Sequence, residues 1–440
     1  MAHLNSGDDG PVAMANPVSA GMRRYALVLL FLAYVINYID RQIVTILQEP
    51  IKAELGLSDT QLGLMTGLSF ALFYAVLGIP IARLADRRSR KSIIGWSILL
   101  WSGMTALCAT AGSYVSLLAF RVGVGVGEAG LSPPAHSMIS DLYPPRKRAA
   151  ALAFYSTGIQ VGVMIGFLAG GWISHYFGWR TAFLIVGIPG LFLAALIALT
   201  LPEPPRGLYD GAADETSQRD ASLSVLATLR RLWGIRTFRY VSLAAGLHGF
   251  VLYGHGNWMP SFLARQYGMD GAEIGTWLAL LAVIPGALGI FVSGHIADWL
   301  SRWGQDARLW APIGSVALLI PANIAMLTSG DEVTYLPFAV VHYFLGGVYL
   351  APCIAICHSV VSPTLRASAS ALFLLMLNLI GLGGGPVTVG LLSDYWGAGS
   401  GAGLQMAMIA ILPLQALAIY SLWRARVAMR QAAVPQPEID

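Results

Sequence analysis

The chain has 440 residues, of which 56% are hydrophobic and only 11% charged. A soluble domain carries roughly 25% charged residues, so this composition excludes an ordinary soluble fold and indicates a polytopic membrane protein. The formal net charge is +4, but the cations sit in particular loops, which argues against nucleic acid as a partner and for a role in topology.

In chain order, residues 1–22 are polar and Pro/Gly-containing and read as a disordered cytoplasmic tail. The first apolar run, 25–47, is too long for a signal-peptide core and stays as a span. Eleven more runs follow, each long enough to cross about 30 Å of hydrocarbon as a helix: 60–82, 92–111, 115–140, 149–175, 180–201, 238–263, 274–297, 309–328, 335–361, 367–393 and 402–423. A polar stretch with Pro-Glu-Pro-Pro-Arg-Gly separates the sixth from the seventh. The predicted organisation is an N-terminal six-helix bundle (23–203), a cytoplasmic linker (204–236), a C-terminal six-helix bundle (237–427) and a cytoplasmic tail (428–440). Of the 27 Lys and Arg, only Lys52, Arg180 and Arg265 fall on loops opposite the termini, and only Arg41 and Arg121 fall inside spans. The others face the terminal side, which predicts cytoplasmic termini.

The halves repeat one another in order. Ala82-Arg83-Leu84-Ala85-Asp86 returns as Gly294-His295-Ile296-Ala297-Asp298, and His136-Ser137-Met138-Ile139-Ser140 as His358-Ser359-Val360-Val361-Ser362. Gly171-Trp172-Ile173-Ser174-His175 returns as Gly390-Leu391-Leu392-Ser393-Asp394. A parallel duplication of six spans is one architecture of secondary transporters, with the ligand held at mid-depth between halves. The expected fold is all-α, with 12 transmembrane helices in two pseudo-symmetric six-helix bundles.

Charges inside the apolar runs carry the functional signal. Asp40 and Arg41 lie in the first span, and a charge in hydrocarbon is costly unless it faces a wet cavity or a partner. Adjacent on a helix, they point about 100° apart and so meet different partners. Asn37 is one turn from Arg41. Arg121 and Glu128 are seven residues apart on one face of the fourth span. The Gly125-x-Gly127-x-x-Gly130 within it matches a dinucleotide-binding pattern but lacks the strand and βαβ unit that pattern needs; the glycines are read as helix-packing residues. Glycines 158, 162, 166 and 170 form a small-residue ladder on span five, and Gly381 to Pro386 mark a bend in span eleven. In the loop after span two, Asp86 and Arg90 are candidates for an interdomain latch, with Asp298 as the second copy. The C-terminal spans place no Asp, Glu, Lys or Arg in hydrocarbon but carry many aromatics, including Phe250, Tyr253, Trp258 and Tyr349. A cavity with one charged and one apolar wall suits an amphiphile with an anionic head. Cys108, Cys353 and Cys357 are read as packing residues. No metal, cofactor or nucleophile–base set is indicated, so an enzyme is not expected.

The pattern resembles the major facilitator superfamily across nearly the whole chain. Ala82-x-Leu84-Ala85-Asp86-Arg87-x-x-Arg90-Lys91 is similar to that family's signature after helix two, with Ala82 and Ser89 where glycine is usual. Asn37-Tyr38-Ile39-Asp40-Arg41, with Arg121-x-x-x-Gly125-x-Gly127-Glu128-Ala129 and Asp141-Leu142-Tyr143-Pro144, most resembles the Spinster branch of lysolipid and sphingosine-phosphate transporters. That resemblance implies a proton-coupled carrier, working as a monomer in the bilayer, for an amphiphilic anion bearing phosphate. Arg41, with Asn37 and Arg121, would bind the anionic head, and Asp40 and Glu128 would be the proton-coupling pair. Organic-anion symporters share the Asn-Tyr-x-Asp-Arg and Gly-x-x-Glu-Ala motifs and supply the alternative, a sugar acid as cargo. A ligand sensor without flux is the remote alternative. The absence of Asn-x-Ser/Thr acceptors and the Ala/Arg-rich composition point to a bacterial inner membrane.

Overall fold

The computed structural model describes residues 18–208, 225–362, 365–397 and 399–433; at 70, 74, 75, 78, 79, 82, 86, 225, 367 and 433 only the backbone is described. The expected disordered tail (1–22) thus falls mostly outside the described residues, as do much of the linker and residues 434–440. The described chain is helical with no strand. Span 1 is Ala20–Ile46, capped by the Ser19 hydroxyl, which accepts from Met22 N. Span 2 joins Asp59–Gly63, a π-turn Leu64–Leu68 and Ser69–Arg87. Span 3 is Arg90–Cys108. Span 4 is Tyr114–Glu128 followed by Ser132–Leu142, broken where Gly130 and the Pro133-Pro134 pair interrupt the hydrogen-bond ladder. Spans 5 and 6 run through Pro145–Thr200 and change direction at Gly178, whose φ of 80° only glycine adopts without strain.

The second half repeats this plan. A helix Val225–Gly234 ends the linker, and spans 7 to 9 are Arg236–Tyr267, Gly271–Leu300 and Trp310–Leu327. Span 10 is Glu332–Val348 with Leu350–Ser359. Span 11 joins Arg366–Met376, a π-turn Leu377–Leu382 and Gly383–Gly397; span 12 is Gly401–Ala410 with Pro413–Ala433. Among the described residues eight helices, counting the joined spans 5 and 6 as one, are long and apolar enough to cross a membrane. Spans 2, 3 and 7 complete the twelve. Span 11 carries its π-turn at Leu377–Leu382, at the upstream edge of the glycine run where the bend was expected, and span 2 carries one the sequence did not reveal.

Burial locates the closure. One core, around Leu30, Trp101 and Ile139, belongs to the N-terminal half, and another, around Phe238, Cys357 and Phe373, to the C-terminal half. A third draws on both halves, joining Ile43, Ile51, Leu62 and Phe183 to Trp258, Phe262, Val389 and Met408 on the face opposite the termini. There the halves meet backbone to backbone. A Cβ at Gly171 would lie 2.2 Å from the Gly271 carbonyl oxygen, and one at Gly275 2.4 Å from that of Phe167. Spans 2 and 11 do the same: a Cβ at Gly63 would meet Pro386 O at 2.5 Å, and one at Gly390 would meet Asp59 O at 2.4 Å. The protein is therefore sealed on the face opposite its termini.

Candidate functional site: a charged chamber between the halves

The glycine ladder of span 5 sets the position of span 1. Cβ atoms at Gly162 and Gly166 would lie 2.6 Å from Val35 O and 3.2 Å from Ile39 O, so only glycine lets the two backbones pack this closely. That fixes the residues that follow. Arg41 reaches across to span 4, where its Nε donates to Glu128 Oε2 at 2.7 Å. The Glu128 side chain is fully buried while that of Arg41 keeps 21% exposure, and the guanidinium lies 5.0 Å from the centre of the Tyr38 ring. Asp40 turns the other way and is fully buried; Arg121 and Thr105 are its polar neighbours, with Glu128 close enough to repel it. Arg121 Nη1 also makes a long contact, 3.4 Å, to the Asp40 carbonyl oxygen. Asn37 and Arg121 stand beside Glu128.

The five residues expected to share a site are thus brought together: Asn37, Asp40, Arg41, Arg121 and Glu128. Their two carboxylates and two guanidiniums balance. The glycines of span 4 pack against span 3, a Cβ at Gly127 falling 2.7 Å from the backbone of Trp101, which agrees with a packing role.

In front of the cluster lies a chamber of about 220 Å³. Arg41, Arg121, Gln42, Thr45 and Thr66 line it from the N-terminal half, and Tyr253, Asn257, Ala282, Tyr343 and Leu382 from the other. Its wall is mixed rather than charged against apolar. The opposite face closes over it in two layers. In the inner layer Asn257 Oδ1 accepts from Gln48 Nε2 at 2.8 Å, with Thr66 Oγ1 at 3.0 Å, and Ser261 donates to Gln48 Oε1 at 3.2 Å. In the outer layer Arg265 of span 7 donates to Glu49 (2.7 Å) and to both oxygens of Asp59 (2.7 and 2.8 Å), which Lys52 also approaches at 2.5 Å. Burial at this lip pushes the Asp59 carboxyl up, but the hydrogen bonds and charge of Arg265, helped by Lys52 and Ser393, prevail and bring it down to about 2. Asp394 of the other half accepts from the backbone N–H groups of Asp59 (3.0 Å) and Thr60 (2.8 Å), an anion at a helix N-terminus.

The expected latch residues lie on the other face, which these locks leave open. Arg90 is buried but bonds within its own half, to Asp141, to Glu203 at 2.9 Å and to the Pro204 carbonyl oxygen. Asp298 is 3.8 Å from Arg308, also of its own half. Neither bridges the halves in this state, because that face is the parted one. The side chain of Asp86 is outside the described residues. The sealing residues themselves were missed. One signal was available: the three cations on that face, Lys52, Arg180 and Arg265, are all ion-paired, Arg180 with Glu54 at 2.7 Å. Among the described residues no group of His, Cys, Asp and Glu is arranged to hold a metal.

The family model described as "Major Facilitator Superfamily" matches residues 30–385. An "MFS-type efflux pump" of Mycolicibacterium smegmatis is 34% identical over 372 residues, 84% of each chain. A "Probable L-galactonate transporter" of Escherichia coli is 30% identical over 68% of this chain and 66% of its own. Among solved structures, a bacterial homolog to the human lysosomal transporter Spinster, in an inward-facing and unoccupied conformation, superposes with a TM-score of 0.87 at 31% identity, covering 96% of this chain and all of that one. Twelve spans in two repeated bundles, a mid-depth chamber and a match over most of the length agree: the chain belongs to the Major Facilitator Superfamily, as a Spinster-like transporter and not an enzyme.

Proposed function

We propose that the protein is a proton-coupled carrier of an amphiphilic anion, such as a lysophospholipid, working by alternating access in a bacterial inner membrane with its termini in the cytoplasm. The observation that carries this reading is the balanced cluster behind the chamber. Two buried carboxylates against two guanidiniums leave no net charge, and a buried charge is costly unless paired. An anion that takes Arg41 displaces Glu128, leaving one negative charge too many. A proton on Glu128 or Asp40 restores the balance, so anion and proton enter together. Basic residues on the terminal face support cytoplasmic termini, and the seal on the other face then makes this the inward-open state, the conformation named for the Spinster homolog. Apolar lining from Val44, Val163, Phe167, Ala282 and Leu382 suits an alkyl segment.

A small hydroxylated anion is the second reading. Gln42, Thr45, Thr66 and Asn257 on the chamber wall favour it, as does the galactonate relative. Proteoliposome flux separates the two. Lysophosphatidate uptake should respond to an imposed pH gradient, and Glu128→Gln should flatten that response about tenfold. Gluconate flux without lysophosphatidate flux selects the second reading. A pH response that survives Glu128→Gln removes Glu128 from coupling. Binding without counterflow makes the protein a sensor.

A further inference from the structure

Asn257 belongs at once to the chamber wall and to the seam between halves. Its Oδ1 is held by Gln48 Nε2 at 2.8 Å, with the Thr66 hydroxyl at 3.0 Å, and both partners come from the other half. Ser261 donates to the far end of Gln48, and Gln48 and Ser261 are fully buried. This run of bonds turns the Gln48 amide nitrogen toward Asn257, and Asn257 answers with its oxygen. The two N–H donors of Asn257 Nδ2 are then left on the chamber side. Nearby Tyr253, which also lines the chamber, commits its hydroxyl proton to Asn378 Oδ1 at 3.2 Å. Facing Asn257 across the chamber are Arg41 and Arg121.

We infer that Asn257 is a specificity-determining residue whose Nδ2 takes a hydroxyl or ester oxygen of the same molecule whose anionic group meets Arg41. This rests on the chamber being the anion site, and it narrows the substrate class: the anion carries a second oxygen acceptor a few atoms from its charge.

The test measures binding to the purified full chain of two probe pairs: lauroyl lysophosphatidate with dodecyl phosphate, and gluconate with hexanoate. The first member of each pair has oxygens beyond the anionic group and the second has none. In whichever pair binds, Asn257→Leu should weaken the oxygen-bearing member roughly five- to tenfold, the worth of one neutral hydrogen bond, and spare its partner. Gln48→Leu cuts the same seam bond from outside the chamber and should keep the wild-type ratio. Equal loss for both members, no loss, or the same collapse in Gln48→Leu overturns the inference. Which pair the wild type binds separately decides between amphiphile and small anion. Binding of none of the four overturns both the site and the inference.

Discussion

The N-terminal spans bury Asp40, Arg121 and Glu128 around the chamber, Asp59 at the seal and Arg90 with Asp141 near the terminal face, whereas among the described residues the C-terminal spans bury no Asp, Glu, Lys or Arg around the chamber and hold the nearly buried Arg265 side chain at the seal. The C-terminal half fills its interior with amides and imidazoles instead. His248 Nδ1 pairs with Gln415 Oε1 at 3.2 Å, His342 Nδ1 with Asn323 Oδ1 at 2.6 Å, and His255 Nε2 with the Met408 carbonyl oxygen at 2.9 Å. Both halves have the same six-span plan, so the fold does not require buried charge. Buried ionic groups are weak evidence of stability, and in the half that has them they face a chamber. The duplication has specialised: one copy handles charge and the other supplies shape and neutral hydrogen bonds.

Three experiments press on that division. The largest effect is expected from Arg41→Ala, which removes one of the two chamber-lining cations while leaving Arg121 beside Glu128. A charge-assisted hydrogen bond is worth about 1.5–3 kcal/mol, so anion binding should fall by roughly 10- to 150-fold and uptake should vanish with folded yield retained. Normal uptake would show that the charged half does not hold the anion. Next is Gly275→Val, which puts side-chain atoms where the halves touch. Overpacking of about 1–3 kcal/mol should shift the population from sealed to open roughly 5- to 150-fold. Spin labels at Phe177 and Trp396, exposed on that face in opposite halves, should move apart in pulsed dipolar spectroscopy. An unchanged distance would place the hinge elsewhere.

The smallest effect is Asp59→Asn, read with the same labels on a His175→Gln background, because His175 also touches Asp270 across the halves at 3.6 Å. The Asp59 carboxyl is held down at about 2. Its contribution to the seal is therefore complete above the ordinary carboxylate value near 4 and is lost only as pH falls toward 2. The variant should loosen the seal by a few-fold, equally at pH 5, 6, 7 and 8. A pH response between 5 and 8 that disappears in Asp59→Asn would move the proton sensor from the charged half to the seam.

What could be read in the sequence follows from range. Asp40, Arg41, Arg121 and Glu128 stood out because ionic groups in apolar runs demand partners, and helical spacing gave their directions. The six-span repeat made the two bundles legible as well. The seam was not legible. Gln48 and Asn257 are 209 residues apart, Asp59 and Ser393 are 334 apart, and no periodicity within a helix signals a neutral amide's distant partner. The loop signature after span 2 drew attention to the face that is open here, while Arg265, one of the sparse cations opposite, carries the closure. The π-turn of span 2 hid because Leu64-Met65-Thr66-Gly67-Leu68 lacks the glycine run that marked its counterpart in span 11.

The glycine contacts of the seal have a consequence for how the carrier cycles. Where Gly171 meets Gly271, and Gly63 meets Pro386, the touching surfaces are main chain, with no rotamers to reset when the bundles separate. Parting there costs contact but little reordering, and rejoining recovers the same register every time. Such contacts let the face part and rejoin as a smooth joint, its resistance supplied by the shared apolar core and a few polar fasteners. A single added methyl turns that joint into a wedge.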